Sequence, residues 1–219
     1  MKRIEMDLHR LRPDQIEQAA EVIRRGELVA LPTDSTWAIV ADPFQHQAVE
    51  KLTTVRELTE SPRNGAKVGQ PLSLLCGSVS QASNFVILEQ PQFRLLRRIL
   101  PGPYTMLLPA SRQVPKMLQS KRKSVGIRMP NHPIVQALLE TLNQPLTCTT
   151  ARCKDGALVQ SSSEIERDLE GLVTLLLDAE PFVAEPSTVL DYCDETPLVL
   201  RAGKGLVDAD WELASARPA

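Results

Sequence analysis

Four short polar clusters in this chain join hydroxyls or an arginine to the end of an apolar run: Pro32-Thr33-Asp34-Ser35, Gly126-Ile127-Arg128-Met129-Pro130, Thr149-Thr150-Ala151-Arg152 and Pro186-Ser187-Thr188. Hydroxyls and guanidinium forks are the groups that phosphate oxygens and carboxylates need. Taken singly, a Ser or Thr at such a place serves a turn more often than a ligand. Taken together, the clusters could build one anion site. Other chemistries find less support. Neither a Gly-x-Gly-x-x-Gly nor a Gly-x-x-x-x-Gly-Lys-Ser/Thr pattern occurs, which leaves out a dinucleotide fingerprint and a P-loop. Cys76, Cys148, Cys153 and Cys193 form no Cys-x-x-Cys pair, and His9, His46 and His132 are scattered. Reduced thiols are expected, with no metal site and no Ser-His-Asp triad.

The elements that must position these clusters alternate between two periods. Apolar residues at Ile16, Ala19, Ala20 and Ile23, with Pro13 before them and Gly26 after, predict a helix over 14–25. Runs at 27–31 and 37–41 bracket the first polar cluster and predict two strands joined through a bend. Helices are expected over 46–58, 91–100 and 132–142, the second with Arg94, Arg97 and Arg98 on its polar face. Strands are expected over 71–76, 104–108, 124–129, 146–150, 173–177, 188–192 and 198–200. Ser162 or Ser163 is expected to cap a helix ending at Leu169, with Glu166 completing a capping box to Ser163. The polar, Gly- and Pro-containing stretch 59–70 is expected to be a mobile loop. Seven or more strands with helices interleaved early predict a mixed α/β sheet in one domain, 1–219, with its core at about 10–205 and a tail at 206–219.

Charge is segregated along the chain. Residues 61–139 hold eleven bases against the single acid Glu89, a net +10, whereas the flanking segments carry −3 and −9 and the whole chain −2. One reading is solvated faces paired with acids from the flanking thirds. The other is a basic face for nucleotide phosphates or an RNA backbone, with Arg94, Arg97, Arg98, Lys121, Arg122 and Lys123 as its contacts. At 4% aromatic residues, stacking on single strands is disfavoured, and contact to duplex or folded RNA is expected instead. No run approaches the roughly 18 apolar residues of a membrane span, and the first residues fit neither a signal nor a transit peptide, so the cytoplasm is expected.

In order along the chain, Leu31-Pro32-Thr33-Asp34-Ser35-Thr36-Trp37-Ala38, Pro101-Gly102-Pro103-Tyr104-Thr105, Val125-Gly126-Ile127-Arg128-Met129-Pro130-Asn131-His132-Pro133, Pro186-Ser187-Thr188-Val189-Leu190-Asp191 and Leu200-Arg201-Ala202-Gly203 resemble the motifs of YrdC/YciO-like proteins. The resemblance implies a twisted mixed sheet flanked by helices, with a concave basic surface. It also implies a nucleotidyltransferase joining ATP, L-threonine and bicarbonate into L-threonylcarbamoyladenylate, with Mg2+ expected alongside ATP, in tRNA modification. Binding of tRNA or double-stranded RNA is attributed to the family as well, so a non-catalytic RNA- or ribosome-binding protein is the alternative. By the same resemblance, Thr33, Ser35 and Thr105 would meet the threonine, Arg128 its carboxylate or the nucleotide, and Ser187 and Arg201 the nucleotide.

Family synthases clamp the ATP phosphates with a Lys-x-Arg after the second helix and a Ser-x-Asn after a later strand. The matching positions here are Arg56, Leu58, Thr150 and Arg152. One cation is lost and an arginine is gained, a pattern nearer the YciO branch. Arg56, Thr150 and Arg152 are therefore expected to carry the phosphate clamp and the catalysis, with activity reduced. Oligomeric state stays open.

Overall fold

The structure, a computed structural model, describes residues 1–59, 72–179 and 182–213. Its strands are β1 (Lys2–Glu5), β2 (Val29–Pro32), β3 (Trp37–Ala41), β4 (Ser73–Leu75), β5 (Gly102–Pro109), β6 (Ser124–Met129), β7 (Leu146–Thr150), β8 (Leu175–Asp178), β9 (Thr188–Asp191), β10 (Leu198–Arg201) and β11 (Glu212–Leu213). They form one sheet in the order β1-β8-β2-β3-β7-β4-β6-β5-β9-β10-β11, with parallel and antiparallel neighbours mixed. The helices are α1 (Pro13–Arg24), α2 (His46–Thr59), α3 (Val79–Ala82), α4 (Gln90–Ile99), α5 (Pro133–Leu142) and α6 (Ser162–Leu169).

Two apolar layers sandwich the sheet. On one face α1 and α5 lay Ile16, Ala19, Ile23, Ile134, Leu138 and Leu139 against Leu31, Val40, Leu146 and Leu177. On the other, α2, α4 and α6 contribute Val49, Leu52, Leu96, Ile165 and Leu169 against Ile39, Leu74, Met106 and Ile127. Helices on both faces explain why β2, β3 and β6 are buried along their whole length rather than alternating. Each helix presents the stripe that its sequence period describes.

Several boundaries differ from the sequence expectation for identifiable reasons. Strand β1 lies before the expected core and pairs in parallel with β8. Only Ile4 of its four residues is buried, so it shows no period. Strand β11 and the buried Trp211 lie in the expected tail. The ring of Trp211 meets Tyr104 edge-on at 6.3 Å between centroids. The last helix is capped one or two residues earlier than expected: Ser161 is the N-cap and Glu164 closes the capping box. Glu166 instead pairs with Arg3 at 3.3 Å. The short α3 was not foreseen; its N-cap Ser78 accepts the Gln81 N–H. The stretch expected as a mobile loop lies, from residue 60 onward, outside the described residues. Among the described residues no helix is long and apolar enough to cross a membrane.

Candidate anion site

Arg128 ends β6 with only 5% of its surface exposed. Its Nη2 donates to Ser35 Oγ at 2.7 Å and to Thr33 Oγ1 at 3.4 Å. Asp34 Oδ1 stands 4.0 Å from the same nitrogen, and Asp34 Oδ2 accepts the Asn131 N–H at 2.8 Å. Taking a guanidinium out of water costs several kcal/mol unless partners surround it, and the turn between β2 and β3 supplies them. Cys148 on β7 is also within reach of Arg128; burial pushes its thiol up, against the opposing pull of that cation. Among the described residues Arg128 Nε and Asp34 Oδ1 are buried with no hydrogen-bond partner, so the cluster keeps one donor and one acceptor unspent.

The Thr33 hydroxyl is largely consumed by the turn itself. It donates to the Thr36 carbonyl at 2.6 Å and receives the N–H groups of Ser35 and Thr36, each at 3.2 Å. Of the two residues of this turn expected at the amino acid, Thr33 therefore shapes the turn while Ser35 meets the cation.

A second hydroxyl pair lies on the other side. Thr105 of β5 and Ser187, just before β9, are both buried and share a hydrogen bond of 2.8 Å. Arg201 at the end of β10 reaches the Ser187 carbonyl through Nε and Nη2, at 3.0 and 2.9 Å, and the Ser187 hydroxyl at 3.2 Å. Although the residue as a whole remains exposed, its guanidinium end is enclosed by this neighbourhood. That enclosure holds Arg201 below its ordinary value, and the positive charges of Arg128 and Arg152 add to the effect. Three arginines from β6, the loop after β7 and β10 thus lie within electrostatic reach of one another. Like charges gathered around hydroxyls favour an anion.

Arg152 donates Nη1 to the Gly156 carbonyl at 2.8 Å. Asp155 does not pair with it; its Oδ1 accepts the Ala157 N–H instead. Thr150, half-buried at the end of β7, lies opposite Ala38 of β3. Arg56 stands half-buried in the last turn of α2, a helix packed on β3 and β7, the latter being the strand that leads to Thr150 and Arg152.

The six bases expected to contact RNA fall into two groups at opposite ends of β5. Arg94, Arg97 and Arg98 lie on α4, just before β5 begins, and Lys121, Arg122 and Lys123 lie in the turn before β6, whose Ser124 pairs with Pro109 at the end of β5. All six are exposed. Arg98 is paired with Asp208 at 2.8 Å and Arg122 with Asp191 at 3.4 Å, while Arg97 lies over the Phe93 ring. Part of this charge is therefore already neutralised within the protein. Asp34, Asn131 and Lys204 were given no role from sequence. Asp34 and Asn131 lie inside the ordered motifs, and Lys204 stands between Gly203 and Gly205, a bracketed cation that is the available signal.

The Sua5/YciO/YrdC family model, described as telomere recombination, matches residues 21–203. The protein YciO of Escherichia coli K12, named as uncharacterized, is 34% identical over 202 residues, covering 90% of this chain and 94% of its own. The crystal structure of E. coli YciO superposes with a TM-score of 0.84 at 32% identity, covering 95% of this chain and 98% of that one. A threonylcarbamoyl-AMP synthase of Vibrio campbellii is 29% identical over 191 residues, 85% of this chain and 98% of its own. The Sua5 of P. abyssi complexed with L-threonine gives a TM-score of 0.82 at 26% identity, covering 98% of this chain and 62% of that one. A family model spanning most of the chain, with relatives above 30% identity over nearly its full length, assigns this chain to the Sua5/YciO/YrdC family.

Proposed function

We propose that this chain is an ATP-dependent L-threonylcarbamoyladenylate synthase homologue that serves tRNA modification in the cytoplasm. The observation that carries this reading is the gathering of Arg128, Arg152 and Arg201 around two hydroxyl pairs, Thr33–Ser35 and Thr105–Ser187. Support also comes from relatives named as threonylcarbamoyl-AMP synthases and from the threonine complex of a similar structure.

The chemistry asks for two anion subsites side by side. The threonine amine takes up the carbon of bicarbonate, and an oxygen of the resulting carbamate attacks the α-phosphorus of ATP. Pyrophosphate leaves, and one water is lost overall. Arg128, fixed by Ser35, would hold the threonine carboxylate, and Thr105 and Ser187 would order the region between the subsites. Arg152 and Arg201 would oppose charge on the phosphates; such preorganised cations contribute most where water is excluded. Among the described residues no group of three or more carboxylates, histidines or cysteines stands together to hold a metal, so Mg2+ would enter on the phosphates of ATP. With Leu58 where synthases carry a clamp cation, a reduced rate is expected.

Purified protein should release pyrophosphate from ATP only when both L-threonine and bicarbonate are present. Release that ignores either co-substrate, or none at all, would overturn the reading. The RNA-binding alternative draws on exposed bases of which Arg98 and Arg122 already have acidic partners, which weakens the charge available to an RNA backbone.

A further inference from the structure

We propose that Lys204 is a fourth cation of the site and takes the outer phosphates of a nucleoside triphosphate, an inference that rests on the nucleotide reading above. The segment 203–206 forms a strap fixed at nearly every residue. The Gly203 N–H donates to Thr188 Oγ1 at 3.0 Å, the Lys204 N–H to the Pro186 carbonyl at 2.9 Å, Thr188 Oγ1 to the Gly205 carbonyl at 2.6 Å, and Tyr104 Oη to the Leu206 carbonyl at 3.0 Å. Both flanking glycines are demanded by close approach. A Cβ on Gly203 would fall 2.1 Å from the Pro186 carbonyl oxygen, and one on Gly205 would fall 2.4 Å from the Tyr104 ring.

This strap aims the lysine across the site. Its backbone is held beside Ser187, the residue that contacts Arg201 and Thr105, whereas its Nζ lies 2.6 Å from the Asp34 carbonyl, one residue from the hydroxyl that holds Arg128. Lys204 therefore spans the two hydroxyl pairs. It is exposed, and among the described residues it forms no ion pair. An ammonium with three donors, resting on a single neutral carbonyl, keeps donors for an incoming anion. Arg128 is buried whereas Lys204 is exposed, so Lys204 stands nearer solvent, where the outer end of a polyphosphate would lie. The cation that synthases place at position 58 is Leu58 here and 58% exposed, so a compensating charge on another element fits the altered clamp.

The test is calorimetric titration of ATP, AMP and inorganic pyrophosphate into wild type, Lys204→Met and Lys204→Arg, at low ionic strength. Lys204→Met should weaken ATP and pyrophosphate about tenfold or more, the scale of one charge-assisted hydrogen bond, leaving AMP within about twofold. Lys204→Arg should recover most of the loss. Thermal unfolding of each variant should match wild type, because the side chain is exposed. Equal ATP and pyrophosphate affinities in wild type and Lys204→Met, an equal loss for AMP, or no rescue by arginine would overturn the assignment while leaving the nucleotide reading in place. Failure of wild type to bind either ATP or pyrophosphate would overturn both.

Discussion

Arg152 is the residue whose chemistry is most exposed to test. It hydrogen-bonds a neutral carbonyl rather than a carboxylate, and its charge is felt at Arg201. Among the described residues no carboxylate pairs with Arg152, and such a guanidinium costs little to redirect toward phosphate. Arg152→Ala should therefore weaken ATP binding by about tenfold or more, one charged hydrogen bond contributing roughly 1.5–3 kcal/mol; calorimetric titration reads it, and equal affinities would return Arg152 to a purely local role. His132 makes a different case. Burial lowers it from 6.5 to about 4, and its Nδ1 has no partner. With the folded value below the unfolded one, its contribution to stability is full above pH 6.5 and is lost as pH falls toward 4. Urea unfolding midpoints of wild type should fall through that window more steeply than those of His132→Gln.

At the scale of elements, caps and straps decide where the site residues stand. Helix α6 begins at the Ser161–Glu164 box, not at Ser163, and its start closes the loop that holds Arg152. Ser161→Ala should cost about 1 kcal/mol in denaturant unfolding, as N-cap losses do. Glu166→Ala should cost less, because its pairing with Arg3 is on the surface. The distinction was not legible in the sequence because Ser161, Ser162 and Ser163 are consecutive and each has an acid or an apolar residue at helical spacing. Only the backbone conformation at Ser161 separates them: it is extended, and its N–H donates to Glu164 Oε2 at 3.3 Å.

The whole molecule depends on segments that the sequence placed outside its core. Trp211 lies beyond the last motif, yet it is buried against Tyr104, the residue whose hydroxyl holds the strap at Leu206. Trp211→Ala should destabilise by about 3–5 kcal/mol, the range for a buried aromatic, measured by chemical denaturation. ATP affinity should fall with it if loss of this packing loosens the strap. A change under about 1 kcal/mol would show that the end of the chain is dispensable to the sheet.

The sequence by itself determined the class of fold. Helix and strand periods survive because each element buries a face, and the ordered motifs supply two hydrogen-bonded groups, Ser35 with Arg128 and Thr105 with Ser187 and Arg201. Tertiary structure decided what pattern cannot encode. The edge strand β1 buries only Ile4 and so shows no period. The division of labour between Thr33 and Ser35 depends on which hydroxyl the turn consumes. The nearness of Arg152 to Arg201, and of Lys204 to Asp34 across 170 residues of chain, arises only when strands distant in sequence become neighbours, because electrostatic coupling follows distance in space and not along the chain.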